Sequence, residues 1–214
     1  MNYIQKLYRS RDVILEMLED RGYNAENYKD YTIKEIDTMH KNMQQKITLE
    51  NQPLDIIVYH KENGSKLLLK YIYNSKIRVS ILQNLINDYK EQQFFKENDT
   101  LIIITKNNIS NENIFDAQLE NIYKTENVFV QVFWLDKLVI NITKHELVPQ
   151  HRILSTEEKE KLLEKFDITN YTQLPLILKT DPIAKFYGMK RGDVCEIKRP
   201  SETSGVYINY RYCQ

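Results

Sequence analysis

Leu101-Ile-Ile-Ile104 is the stretch that most restricts how this chain can fold. Four consecutive apolar residues bounded by polar ones read as a short strand, and a strand with no polar face must be covered on both sides. The flanking periodicities supply the covers. Upstream, Ile4, Leu7, Tyr8, Arg11, Ile14, Leu15 and Leu18 recur at three-to-four spacing and Gly22 supplies a stop, which predicts an amphipathic helix. A shorter helix is expected over residues 32–43. Residues 54–59 and 66–73 read as strands around the turn Glu62-Asn-Gly-Ser65, a hairpin. A helix over 78–92, with Val79, Leu82, Leu85, Ile86 and Tyr89 on one face, precedes the apolar strand. A polar helix over 112–124 and a strand over 128–133 follow it. The alternation predicts a mixed α/β layout in which helices cover a small sheet.

The texture changes near Asn141, where short segments punctuated by His, Pro and Gly begin. Ser155-Thr-Glu-Glu158 has the form of a capping box opening a helix to about Phe166. Asp181-Pro182 is a second helix start, with Asp as N-cap and Pro at the first helical position, and Gly188 closes that helix. Strands at 194–197 and 206–212 are joined by Arg199-Pro-Ser-Glu-Thr-Ser-Gly205. In the last strand Val206, Ile208, Tyr210 and Tyr212 alternate with polar or amphipathic neighbours, so one face is expected to be buried. The chain therefore divides into an N-terminal domain, 1–140, and a C-terminal domain, 141–214.

Charge limits the partners. The 214 residues carry 30 Lys and Arg against 30 Asp and Glu. Affinity for nucleic acid comes largely from phosphate neutralisation, so a balanced chain is not expected to hold DNA strongly by itself. Two cysteines, Cys195 and Cys213, are too few for a disulfide scaffold or a Cys-rich metal site, and a reducing compartment is the simplest setting. The N-terminus lacks the apolar core of a signal peptide, and no apolar run approaches membrane-spanning length. No phosphate-binding Gly-rich loop or nucleophile-elbow pattern is present.

Three C-terminal segments carry a resemblance: His145-Glu-Leu-Val-Pro-Gln-His151, Asp181-Pro-Ile-Ala-Lys-Phe-Tyr-Gly-Met-Lys-Arg-Gly192 and Arg199-Pro-Ser-Glu-Thr-Ser-Gly205. Together, in this order and with Leu174-Pro175 between, they resemble the assembly domain that the fifth subunit of eukaryotic RNA polymerases shares with its shorter archaeal counterpart. The close match covers residues 141–214. The longer arrangement resembles the eukaryotic form, in which an N-terminal nuclease-like α/β domain forms part of the lower jaw beside downstream DNA. The resemblance implies a non-catalytic subunit of DNA-dependent RNA polymerase that needs no cofactor or metal. Its C-terminal domain would dock on the largest subunit and neighbouring core subunits. The jaw would approach double-stranded DNA weakly, within the complex, and no membrane is involved. One departure is visible: where the family has a Thr-Pro-Ser loop, this chain has Lys106-Asn-Asn-Ile-Ser-Asn-Glu-Asn113, keeping Ser110 without the proline. Such divergence suits a protist protein, then nuclear, or a subunit of a large DNA virus, then found in the virion and host cytoplasm.

Candidate contact residues follow from chemistry. Arg199 and Glu202 are expected in a turn shaped by Pro200 and Gly205, where an Arg can grip a partner carboxylate. Phe186, Tyr187, Lys190 and Arg191 have the composition of interface anchors; the alternative is that they cap and pack the domain. Lys61, and Lys106 with Asn107, Asn108 and Ser110, lie in polar loops able to meet phosphate. The rival reading is a metal-dependent nuclease built on Pro53-Leu-Asp55 and Leu68-Leu-Lys70. Such chemistry needs at least two carboxylates, and Leu68 stands where the second belongs; a solvated hairpin pair is the simpler account. His40, His60, His145 and His151 lack metal-ligand spacing, and structural hydrogen bonding suits His145 and His151. A stand-alone regulator that borrowed the polymerase-binding domain is a third reading.

Overall fold

Asn2 opens the first helix by accepting the backbone N–H of Gln5 while the Gln5 side chain returns to the Asn2 amide, a reciprocal capping box. The computed structural model describes residues 1–43, 52–72, 77–106, 112–203 and 205–214. They form two compact units, Met1–Ile140 and Asn141–Gln214.

In the first unit α1 (Tyr3–Asp20) buries Leu7, Ile14, Met17 and Leu18 completely or nearly so. Gly22, at φ +86°, turns the chain back toward the hairpin, and a Cβ there would lie 2.8 Å from His60 Nε2. Only glycine combines that conformation with that approach. A second capping box, Thr32 with Glu35, starts α2 (Ile33–Lys41). Next come β1 (Ile56–Tyr59), β2 (Lys66–Ile72), α3 (Val79–Glu91), β3 (Thr100–Thr105), α4 (Glu112–Glu126) and β4 (Phe129–Trp134). The sheet order is β1-β2-β3-β4. The β1–β2 hairpin is antiparallel, whereas β3 joins β2 and β4 joins β3 in parallel. Parallel neighbours need a crossover, and α3 and α4 supply it. Every residue of β3 is buried. Leu101 and Ile103 pack with Leu82, Leu85, Ile86 and Tyr89 of α3 and with Phe115, Leu119 and Ile122 of α4. Each such burial contributes about 1.5–3 kcal/mol. On the opposite face Tyr71 meets Ser10 and Arg11 of α1. The helix expected to be polar, α4, is thus amphipathic.

The second unit contains β5 (Gln150–Ile153), α5 (Thr156–Phe166), β6 (Leu176–Ile177), α6 (Pro182–Tyr187), β7 (Val194–Ser201) and β8 (Gly205–Cys213), in sheet order β5-β7-β8-β6. The capping box at Ser155 and the Asp181 cap with Pro182 behind it form as expected, and Gly188 closes α6 at φ +67°. One face of the sheet buries Cys195, Ile197 and Cys213 against Ala184 and Met189. The other buries Val194 against Leu154 and Leu162, with Tyr210 and Tyr212 alongside.

Two expectations fail here. The β7–β8 ladder runs from Val194↔Tyr212 to Ser201↔Gly205, so Arg199 and Pro200 are strand residues and the connection is much shorter than expected. The alternation in β8 also does not bury one whole face: Val206 is 59% and Ile208 43% exposed. The covering apolar clusters end at Ile197 on one face and Tyr210 on the other, so among the described residues the outer half of the hairpin packs against neither cluster.

Candidate interaction surfaces

The residues singled out for nuclease chemistry come together, but away from solvent. Lys70 Nζ lies 2.6 Å from Asp55 Oδ2, with side chains 3% and 2% exposed respectively, and the Gln52 amide donates to the same oxygen at 2.9 Å. Burial holds the Asp55 carboxyl above the usual carboxylate range despite the Lys70 charge and the amides of Gln52 and Tyr71. The pair is therefore a buried one, not the solvated pair expected. Leu68, where a second carboxylate belongs, is fully buried in the apolar cluster. Among the described residues no group of three His, Cys, Asp or Glu side chains could hold a metal. A nuclease centre has no support in this geometry.

Beside the pair, Arg11 is 2% exposed; its Nη1 donates to the Leu54 carbonyl at 3.1 Å, and its guanidinium stands 5.2 Å from the Tyr31 ring centroid. Burial pushes the Tyr71 hydroxyl up to about 12. A charged side chain on the apolar stripe of α1 was the sequence signal for this polar cluster, and it is structural.

Lys61 and Lys106 are both exposed but stand at opposite ends of the sheet. Lys61 follows β1, its amide bonded to the Gly22 carbonyl, whereas Lys106 follows the far end of β3. Six strand residues separate these edges by about 20 Å. Lys106 is held in place: its carbonyl accepts the Trp134 indole N–H at 2.9 Å, and its Nζ lies 5.1 Å from the Tyr3 ring centroid. Asn107, Asn108 and Ser110 lie outside the described residues.

In the second unit Phe186 is only 3% exposed, so it is an interior residue and not the surface anchor expected. A two-turn helix between a capped start and Gly188 turns it inward, 5.4 Å from the half-buried Tyr187 ring. Lys190 is half-buried, its amide donating to Asp193, and Arg191 is exposed. Arg199 pairs with Tyr207 across the exposed hairpin, and Glu202 is exposed at its end. The two histidines serve local structure. His151 Nδ1 is 2.7 Å from the Pro149 carbonyl, and His145 Nδ1 accepts the Leu147 amide. Burial lowers the His151 pKa.

Sequence reasoning missed the exposed apolar run Val206, Tyr207 and Ile208. The signal was present: three apolar or aromatic residues in succession put apolar groups on both faces of a strand. It also missed the network under α5. Arg152 Nη1 lies 2.7 Å from Glu158 and its Nη2 3.4 Å from Glu196, which accepts the Tyr210 hydroxyl. Beside it lies a recess of about 180 Å³ lined by Leu154, Lys161, Lys165 and Tyr210 among others.

Known proteins share this chain's sequence over its length. A family model described as RNA polymerase Rpb5, C-terminal domain, matches residues 140–213. The DNA-directed RNA polymerases I, II, and III subunit rpabc1 of Dictyostelium discoideum is 31% identical over 217 aligned positions, covering 100% of both chains. The corresponding Caenorhabditis elegans subunit is 29% identical over 96% of this chain and 94% of its own. The two-sheet mixed α/β structure accords with that kinship, and the chain belongs to the Rpb5 family of DNA-directed RNA polymerase subunits.

Proposed function

We propose that this chain is a non-catalytic subunit of a DNA-dependent RNA polymerase in which residues 141–214 dock on the largest subunit and residues 1–140 form part of the lower jaw beside downstream DNA. The observation that carries the reading is the full-length kinship with subunits named for polymerases I, II and III. Those relatives are eukaryotic, and a nuclear location accords with them. The docking assignment draws on the exposed Arg199 and Glu202 and on Tyr187, Lys190 and Arg191 near α6, all in the unit that the family model covers. Phe186 acts from beneath, fixing α6. Arg offers a planar fork for a partner carboxylate, which a Glu at the same place would repel. In the jaw unit Lys61 and Lys106 are exposed cations on opposite edges, suited to touching phosphate singly.

Affinity purification of the tagged chain from its native source tests the docking claim. Wild-type protein is expected to recover the two largest polymerase subunits, and Arg199→Glu and Glu202→Arg to lose at least about tenfold of that recovery, the effect of removing one hydrogen-bonded interface charge. Undiminished recovery with both variants would move the docking surface elsewhere.

A further inference from the structure

The turn between β1 and β2 holds the one asparagine in the chain that a glycine follows, Asn63-Gly64. Residues 61–64 are all exposed, and a Cβ built on Gly64 would meet nothing within 4 Å. The Gly64 nitrogen therefore has no side chain of its own, or of a neighbour, to shield it. Ser65 holds the Asn63 side chain: its amide donates to Asn63 Oδ1 at 2.9 Å. A bond from the side-chain oxygen of an asparagine to the amide two residues on folds the carboxamide back over the intervening peptide. That brings Cγ of Asn63 beside the Gly64 nitrogen, the two atoms whose union closes a five-membered imide. The His60 ring fixes the frame of the turn, its Nδ1 accepting the amides of Glu62 and Asn63 at 3.2 and 3.4 Å.

The Ser65 bond also assists the chemistry. Negative charge develops on Oδ1 as a nitrogen adds to its carbon, and a donor already aimed at that oxygen stabilises the charge. The nitrogen that must leave, Nδ2, makes no hydrogen bond among the described residues. One contact opposes the reaction. The Gly64 amide donates to the His60 carbonyl at 3.1 Å and must give that bond up, which slows attack by about tenfold at most. We propose that Asn63 is a site of spontaneous deamidation, assisted by the Ser65 amide, that gives the β1–β2 turn a new negative charge beside Lys61. Hydroxide takes the Gly64 amide proton, the nitrogen bonds to Cγ of Asn63, and the Cγ–Nδ2 bond breaks as Nδ2 leaves as ammonia with a proton from water. Water then opens the imide at either carbonyl and leaves aspartate or isoaspartate at position 63. The turn passes from balance, Lys61 against Glu62, to a net negative charge. That change opposes the phosphate contact assigned to Lys61, a consequence that rests on the jaw reading above.

Peptide mapping by mass spectrometry, after the folded chain has stood in mildly alkaline heavy-oxygen water, tests this. Position 63 is expected to convert first among the asparagines, with one heavy oxygen gained. Isoaspartate is expected beside aspartate, because only an imide opens both ways. Asn63→Gln, which would need a six-membered ring, is expected to block conversion there. Ser65→Pro removes the amide that bonds Oδ1 while keeping the carbonyl that accepts from His60. It is expected to slow conversion by about tenfold, less than for a donor in a water-excluded site. Conversion elsewhere while position 63 stays intact, aspartate without isoaspartate, or an undiminished rate in Ser65→Pro would overturn the proposal. For the consequence, polymerase reconstituted with Asn63→Asp is expected to hold downstream duplex less tightly than with the wild-type chain, and by more at low salt than at high. Equal binding by the two would remove Lys61 from the DNA contact and leave the deamidation site standing.

Discussion

Cys195 and Cys213 show how position decides chemistry at the scale of one residue. Both are buried free thiols, and burial pushes each up to about 11. At pH 8 they stay protonated and shielded, so a thiol reagent is expected to label the native chain at least about a hundredfold more slowly than the unfolded one; comparable rates would contradict the placement. Glu158 is perturbed the other way. The Ser155 amide, in the capping box, and Arg152 hold its carboxyl below the usual carboxylate range. Its folded value lies below the unfolded one, so its contribution is present above the unfolded pKa and is lost as pH falls through the folded pKa. Melting curves between pH 6 and 3 are expected to show an acid-sensitive component that Glu158→Gln, which keeps the capping geometry, removes. Gly22→Ala introduces both a positive-φ strain and a Cβ against His60, and is expected to cost about 1–3 kcal/mol in chemical denaturation.

Among the elements, the β1–β2 hairpin carries the least obvious liability, a buried ion pair at its base. Asp55→Ala or Lys70→Met each takes the opposite charge away from a buried one and is expected to cost about 3–5 kcal/mol, whereas joint replacement by Leu and Met is expected to be near neutral. Denaturant melts of the single and double variants decide this, and additive losses would mean that the pair is not coupled. Elements with a local cause were legible in the sequence. The capping box at Ser155, the Asp181-Pro182 start and the apolar β3 depend on neighbours within a few residues, and all form where expected. What escaped depends on partners distant in sequence. Whether Val206 and Ile208 are covered depends on how far the apolar clusters under α5 extend along β8. The Asp55–Lys70 spacing announced proximity but could not announce burial, because the covering helices lie elsewhere in the chain.

At the scale of the whole molecule, 30 cations balance 30 anions, and the exposed lysines assigned to DNA stand on opposite edges of one sheet. Such a chain carries no net excess of the phosphate-neutralising charge that gives independent affinity. The isolated protein is expected to show no retention of duplex DNA at about 0.15 M salt in a gel-shift assay; tight binding there would contradict the view that its DNA contact is made only in company. The second unit, by contrast, exposes the apolar side chains of Val206, Tyr207 and Ile208 on one hairpin.

The most direct test is the stoichiometry of the native complex. Polymerase purified through a tag on its largest subunit, and weighed by native mass spectrometry, is expected to contain one copy of this chain per core enzyme. Polymerase that is complete and lacks the chain, or holds it only in trace amounts, would contradict the account.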